Sequence, residues 1–225
     1  MTIDRPLKLG EIVAETVRIY GERVWAGLGI GLLVGLAYVA AGAVHVVTGV
    51  AIVAVAFTLA YAAAARVVAG DTFAEAWAQV GLRLPALAVL AFVVAVPFAV
   101  AAGYLFLVIL AVGWLALTGF AIPVAMLERA PAEQGWPQRL VYALQRSVAL
   151  ARTQYLHAAG VAAALVLIYI LVGVLLSGAL SGFADNSRFA ALVLVQIVLA
   201  PFFFLGLSVL YFEQTARALS SARHD

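Results

Sequence analysis

Long runs without a charge alternate along this chain with short stretches in which apolar and charged residues recur at helical spacing. From Val24 to Ala65 there are 42 consecutive positions without Asp, Glu, Lys or Arg, and Leu84 to Leu127 repeats the pattern. A helix needs about 20 apolar residues to cross the hydrocarbon layer, so each run accommodates two crossings and a tight turn. The pattern therefore predicts an all-α polytopic bundle of six transmembrane helices, at roughly 24–45, 48–65, 84–103, 106–127, 157–181 and 189–212. These pair into three hairpins, turning at Val44–Gly49, near Gly103-Tyr104, and at Asp185-Asn186-Ser187-Arg188.

Each hairpin is preceded by a short amphipathic segment. The single membrane domain 1–225 divides into an amphipathic N-terminal segment 1–23, hairpin 24–65, amphipathic segment 66–83, hairpin 84–127, amphipathic segment 128–156, hairpin 157–212 and a cytoplasmic tail 213–225. In the first segment Leu9, Ile12, Val13, Val17, Tyr20 and Val24 share a face, opposite Glu11, Glu15, Arg18 and Glu22. The second opens on Thr72-Phe73-Ala74-Glu75, a capping-box pattern. The third starts at Trp136-Pro137 and sets Leu140, Leu144, Val148, Ala151 and Tyr155 against Arg139, Gln145, Arg146 and Arg152. Such helices either lie in the headgroup layer, cations toward anionic lipid, or pack on the bundle as short extensions of the spans.

Charge sets the orientation. With the N-terminus cytoplasmic, Arg5, Lys8, Arg18, Arg23, Arg66, Arg83, Arg129, Arg139, Arg146, Arg152, Arg217 and Arg223 fall inside and only Arg188 outside, so both termini are expected in the cytoplasm. Trp25, Tyr20, Tyr155, Tyr211 and Phe212 fall near the inner boundaries, where amphipathic rings settle. The composition agrees: at 66% hydrophobic and 11% charged, the chain lies far from soluble domains, about 25% charged. Its basic residues sit at helix ends rather than on one polar face, which argues against a nucleic-acid partner. Val24–Val39 followed by Ala40-Ala41-Gly42-Ala43 has the outline of a signal peptide, but Glu11, Glu15 and Glu22 ahead of it make a poor basic leader.

Within the spans the informative residues are small, cyclic or polar. Gly27, Gly31 and Gly35 recur every fourth position, as do Gly178 and Gly182, a spacing that lets helix backbones approach, here within the monomer rather than between copies. Pro97, Pro123 and Pro201 remove backbone donors inside the third, fourth and sixth spans, making them candidate hinges. Gln196 is expected to bond a neighbouring helix, and His45 to sit at the outer interface. Glu128 and Glu213, at the inner ends of spans four and six, are candidates for ion pairs with Arg66, Arg129 or Arg217. Arg83, Arg139, Arg146 and Arg152 are the candidate lipid-surface contacts.

Signatures of catalysis do not emerge. His45, His157 and His224 lack metalloprotease spacing, no nucleophile elbow or phosphate loop occurs, and no cysteine is present. No enzyme activity, cofactor or metal is expected. The stretch Pro6-Leu7-Lys8-Leu9-Gly10-Glu11-Ile12 with Arg18-Ile19-Tyr20, Ala121-Ile122-Pro123 through Glu128 with Ala143-Leu144-Gln145-Arg146-Ser147, and Leu210-Tyr211-Phe212-Glu213-Gln214-Thr215-Ala216-Arg217 resemble YciC-like uncharacterised bacterial integral membrane proteins and the membrane domain preceding some glycerophosphodiester phosphodiesterases. The resemblance implies a multi-pass protein of the bacterial inner membrane. It implies no phosphodiesterase activity, because that domain is not among these residues. The expected function is a non-enzymatic scaffold or lipid-interacting component, with anionic lipid at the cytoplasmic face and either a protein partner or a second copy as further partners. The alternative is a small transporter or lipid-handling protein with a cavity between the hairpins.

Overall fold

The computed structural model describes residues 7–101, 105–128, 135–181 and 187–221, and every element among them is helical. In chain order these are α1 (Leu9–Glu22), α2 (Val24–Gly42), α3 (Val46–Ala69), α4 (Phe73–Leu82), α5 (Leu84–Ala101), α6 (Leu105–Thr118), α7 (Ala121–Leu127), α8 (Trp136–Thr153), α9 (Tyr155–Ser181) and α10 (Ser187–Ser221). Five stretches are long and apolar enough to cross a membrane, or six if the bent pair α4 and α5 counts as one. The chain is thus an all-helical, multi-pass membrane protein. The turns at Gly103-Tyr104 and Asp185-Asn186, together with Gly182 and Arg129, lie outside the described residues.

Helix starts follow local chemistry. Thr72 and Glu75 form the anticipated capping box at α4, the Thr72 N–H donating to Glu75 Oε2 at 2.9 Å and the Glu75 N–H to Thr72 Oγ1 at 3.3 Å. His45 caps α3, its Nδ1 accepting from the Val47 N–H at 3.4 Å, so its ring serves the helix start. At the other end of α3, Gly70 takes a φ of 121°, which lets the Asp71 N–H turn back to the Arg66 carbonyl at 3.1 Å.

Small residues decide what is central. The second half of α3, with Ala60, Ala62, Ala63, Ala64 and Ala65 all fully buried, is surrounded by α2, α4, α5, α7 and α10. Alanine permits such close approach, which matters where lipid removes the hydrophobic drive between helices. Gly27, Gly31 and Gly35 lie against α10: a Cβ at Gly31 would run into the Ile197 carbonyl oxygen, and one at Gly35 would meet the Ile197 side chain at 2.7 Å. The stripe packs within the monomer, as its spacing suggested. A Cβ at Gly178 would meet nothing within 4 Å.

The three prolines behave differently. Pro123 lacks the donor for the carbonyl of Gly119, four residues earlier, and there the span breaks, α6 ending at Thr118 and α7 starting at Ala121. Ser147 of α8 closes the gap, its Oγ donating to the Leu117 carbonyl at 2.6 Å. Pro201 leaves α10 continuous; beside it Gly31 abuts the Ile197 carbonyl and the Tyr20 hydroxyl donates to that of Val198 at 3.0 Å. α5 likewise runs through Pro97 as helix.

Residues 213–221 of the expected tail are also helical, as the last turns of α10. At 35 residues α10 is about 52 Å long, well beyond the roughly 30 Å hydrocarbon layer, so its final turns project past the apolar zone.

Candidate functional site

All the described polar features of consequence gather at one end of the bundle, where α1, α4 and α8 meet the spans. Each of these helices stops at a single non-helical residue before the next begins: Arg23 (φ −126°, ψ 37°), Arg83 (φ −117°, ψ 11°) and Gln154 (φ −149°, ψ 71°). At Arg83 the axis turns by 86° between α4 and α5. Each elbow residue then reaches the end of a later helix. Arg23 Nη1 donates to the carbonyls of Val67 and Asp71, both at 2.8 Å; Arg83 Nη1 donates to the Ala125 carbonyl; Gln154 Oε1 accepts from Arg217 Nη1 at 2.6 Å. Cations are favoured at helix C-termini, where carbonyls lack partners, so two of these contacts satisfy groups that need them.

Two carboxylates organise the rest. Glu128 accepts from the hydroxyls of Tyr142 and Tyr211, each at 3.0 Å, and from Arg146 Nε at 3.2 Å. Among the described residues its cation is Arg146 rather than Arg66 or Arg217, and the third expected partner, Arg129, lies outside them. Arg66 instead binds Asp71, with Nε 2.6 Å from Oδ2, five residues away across the Gly70 turn. Glu213 is fully buried, and here the expectation holds: Arg217 Nε donates to its Oε1, while Gln214 Nε2 donates to Oε2 at 2.9 Å. His157 Nε2 stands 3.7 Å from Glu213 Oε1.

Of the four arginines expected at the lipid surface, two are engaged inside the fold. Arg83 is half-buried on Ala125, and Arg146 is tied to Glu128. Arg139 and Arg152 are exposed. Burial first, then the neighbouring charges of Arg66 and Arg139, lower the pKa of Arg83, so three guanidinium groups from α3, the elbow and α8 act on one another. Burial, followed by the hydrogen bond and charge of Glu128, raises the pKa of the Tyr142 phenol and keeps it a donor. Tyr211, anticipated as an interfacial anchor, is only 3% exposed and belongs to the Glu128 cluster.

Sequence reasoning missed several members. Tyr142 and Arg146, four apart on α8, carried a readable signal as neighbours on one helix face. Ser147, Gln154 and the Arg23 contact carried none, since their partners lie 30, 63 and 44 residues away.

Away from this end lies a partly open apolar cavity of about 200 Å³, bordered by Phe57, Thr58 and Tyr61 of α3, Val94 of α5, Leu115 of α6, Ile122 of α7, Val166, Tyr169 and Ile170 of α9, and Phe203, Phe204 and Leu207 of α10. Gln196 bonds the Tyr169 hydroxyl of α9, the interhelical contact its position suggested. The buried Tyr61 hydroxyl has no partner among the described residues. Nor, among those residues, do three His, Asp or Glu side chains group as a metal site. Comparison with protein-family models, with curated proteins and with solved structures found no match to this chain.

Proposed function

We propose that this chain is a six-span protein of the bacterial inner membrane, its spans in three hairpins and both termini cytoplasmic, that acts without catalysis as a lipid-interacting scaffold. The amphipathic helices α1, α4 and α8 form a collar in the cytoplasmic headgroup layer. The 86° elbow at Arg83 is the observation that carries the reading: if α5 crosses the bilayer, α4 runs parallel to its surface. Apolar side chains protrude beside all three elbows, with Trp25 83%, Leu82 77% and Leu156 86% exposed, where lipid would cover them.

The collar divides its apolar faces between protein and lipid. Ile12, Ile19, Ala76, Val80, Leu140 and Leu150 are buried on the bundle, whereas Leu9, Val17, Phe73 and Leu82 remain exposed. Arg139 and Arg152 are exposed at this end, where their positive charge favours an anionic headgroup nearby. The likeness to YciC-like proteins and to phosphodiesterase membrane domains fits this reading and adds no activity to it.

Depth-dependent quenching in nanodiscs tests the proposal. A variant retaining Trp25 as its sole tryptophan should be quenched more by lipids brominated near the ester end of the chain than near the methyl end. Replacing Arg139 and Arg152 by Gln should reduce the preference for anionic over zwitterionic lipid several-fold. A Trp25 quenched equally at all depths, with lipid preference unchanged in the double variant, would remove the collar.

A further inference from the structure

We infer that the interior cavity seats the methyl-end half of one acyl chain, belonging to a phospholipid of the leaflet on the arginine-bearing side. The inference rests on the spans lying in a bilayer and not on the headgroup collar. Position comes first. Val94, Tyr169 and Phe57 lie near the middle of their helices and Leu115 three residues before the end of α6, while Ile122, in α7, and Leu207, three residues past the midpoint of α10, lie toward the arginine-bearing end. That is the depth of the chains of one leaflet.

The wall selects hydrocarbon. Of its three hydroxyl groups, that of Thr58 is turned back to the Ala54 carbonyl at 3.0 Å, that of Tyr169 is held by Gln196, and that of Tyr61 is buried without a partner among the described residues. An apolar void of this kind does not fill with water: one of about 150 Å³ stays dry and takes up benzene. At about 200 Å³ the cavity is somewhat larger, yet below the roughly 300–1,000 Å³ of sites that enclose a whole ligand. It suits part of a chain whose remainder stays in the bilayer.

A path from the bilayer exists beside α9. Ile170, on the cavity wall, is 48% exposed, and its neighbours Leu167 and Leu171 are 62% and 55% exposed, so the void lies directly behind a lipid-facing surface. Phe203, Phe204 and Phe57 form the far side in edge-on contact, with centroids 5.4 Å apart for Phe57–Phe204 and for Phe203–Phe204. These flat, stiff rings, with Tyr61 stacked on Phe204 at a centroid distance of 5.8 Å, line the space.

The test uses the full chain in vesicles containing phosphatidylglycerol with a diazirine near the methyl end of one chain. After illumination, adducts are expected on Phe57–Tyr61 and Phe203–Leu207 as well as on the outward residues Leu167 and Leu171. Val166→Phe, which fills the cavity from α9, should lower the interior adducts at least fivefold and leave the outward ones unchanged; Val94→Met should do the same from α5. Outward labelling reports that each variant has folded and inserted. Adducts confined to the outward residues in the wild-type protein, or interior labelling unchanged in both filled variants, would overturn the assignment. Neither result bears on the Trp25 and arginine measurements, so the two proposals fail separately.

Discussion

α9 and α10 are consecutive and comparably apolar, yet the spanning part of α9 is 22% buried and that of α10 is 61% buried. Hydropathy places both in the membrane and says nothing of which is central. What separates them is the residues that break the apolar monotony. α10 carries Gln196, Pro201, Gly206, Ser208, Glu213 and Gln214, each needing a neighbour or permitting one to come close. α2, α3 and α9 gather around it, with α1 and α8 at the basic end. The exposed side of α9, with Leu167, Leu171, Val174 and Leu175, offers only hydrocarbon, which lipid covers as well as protein does.

The contrast can be broken most directly at Glu213. Glu213→Ala leaves Arg217 and Gln214 without their acceptor in a buried setting and should cost about 3–5 kcal/mol, read as loss of the folded fraction in detergent. A mild effect would mean that water reaches this cluster and that the end of α10 is not central. Next comes the face that receives α2. Gly31→Ala pushes a methyl into the Ile197 carbonyl and should cost about 1–3 kcal/mol, with a fall in thermal midpoint, unless α2 stands further from α10 than the stripe implies.

On α9 the sign reverses. A Cβ at Gly160 would meet nothing within 4 Å, so Gly160→Ala should raise stability by about 0.5–1 kcal/mol through helix propensity alone. Destabilisation there would reveal a partner covering α9. Smallest of all, Leu171→Ala should stay within about 0.5 kcal/mol of wild type, because the side chain is 55% exposed toward lipid. A larger loss in the same thermal measurement would place Leu171 in an interface.

Much of the local architecture was legible. The Thr72–Glu75 cap, the break associated with Pro123, the bond from Gln196 to another helix and the inward glycine stripe each depend on residues close in sequence or on a group that must find some partner. The partner's identity was another matter. Arg146 was not among the cations matched to Glu128, because it approaches only once α8 folds against α7 and α10. Pro201 was read as a candidate hinge; α10 runs through it as helix, beside Gly31 and Tyr20, which lie 166 and 178 residues before the carbonyls they approach. The cavity was left as an alternative, since a void is a property of how six elements fail to fill space together.

Periodicity and charge, which are one-dimensional, determined by themselves that this chain lives among lipids, roughly where its apolar helices run, and which residues carry unmet hydrogen-bonding capacity. Tertiary structure alone decided how that capacity is met and where packing leaves a gap. The reason is physical: an uncharged run has one favourable solvent whatever its neighbours, whereas a carboxylate, a loosened carbonyl or an empty volume acquires meaning only from the side chains that distant parts of the chain bring beside it.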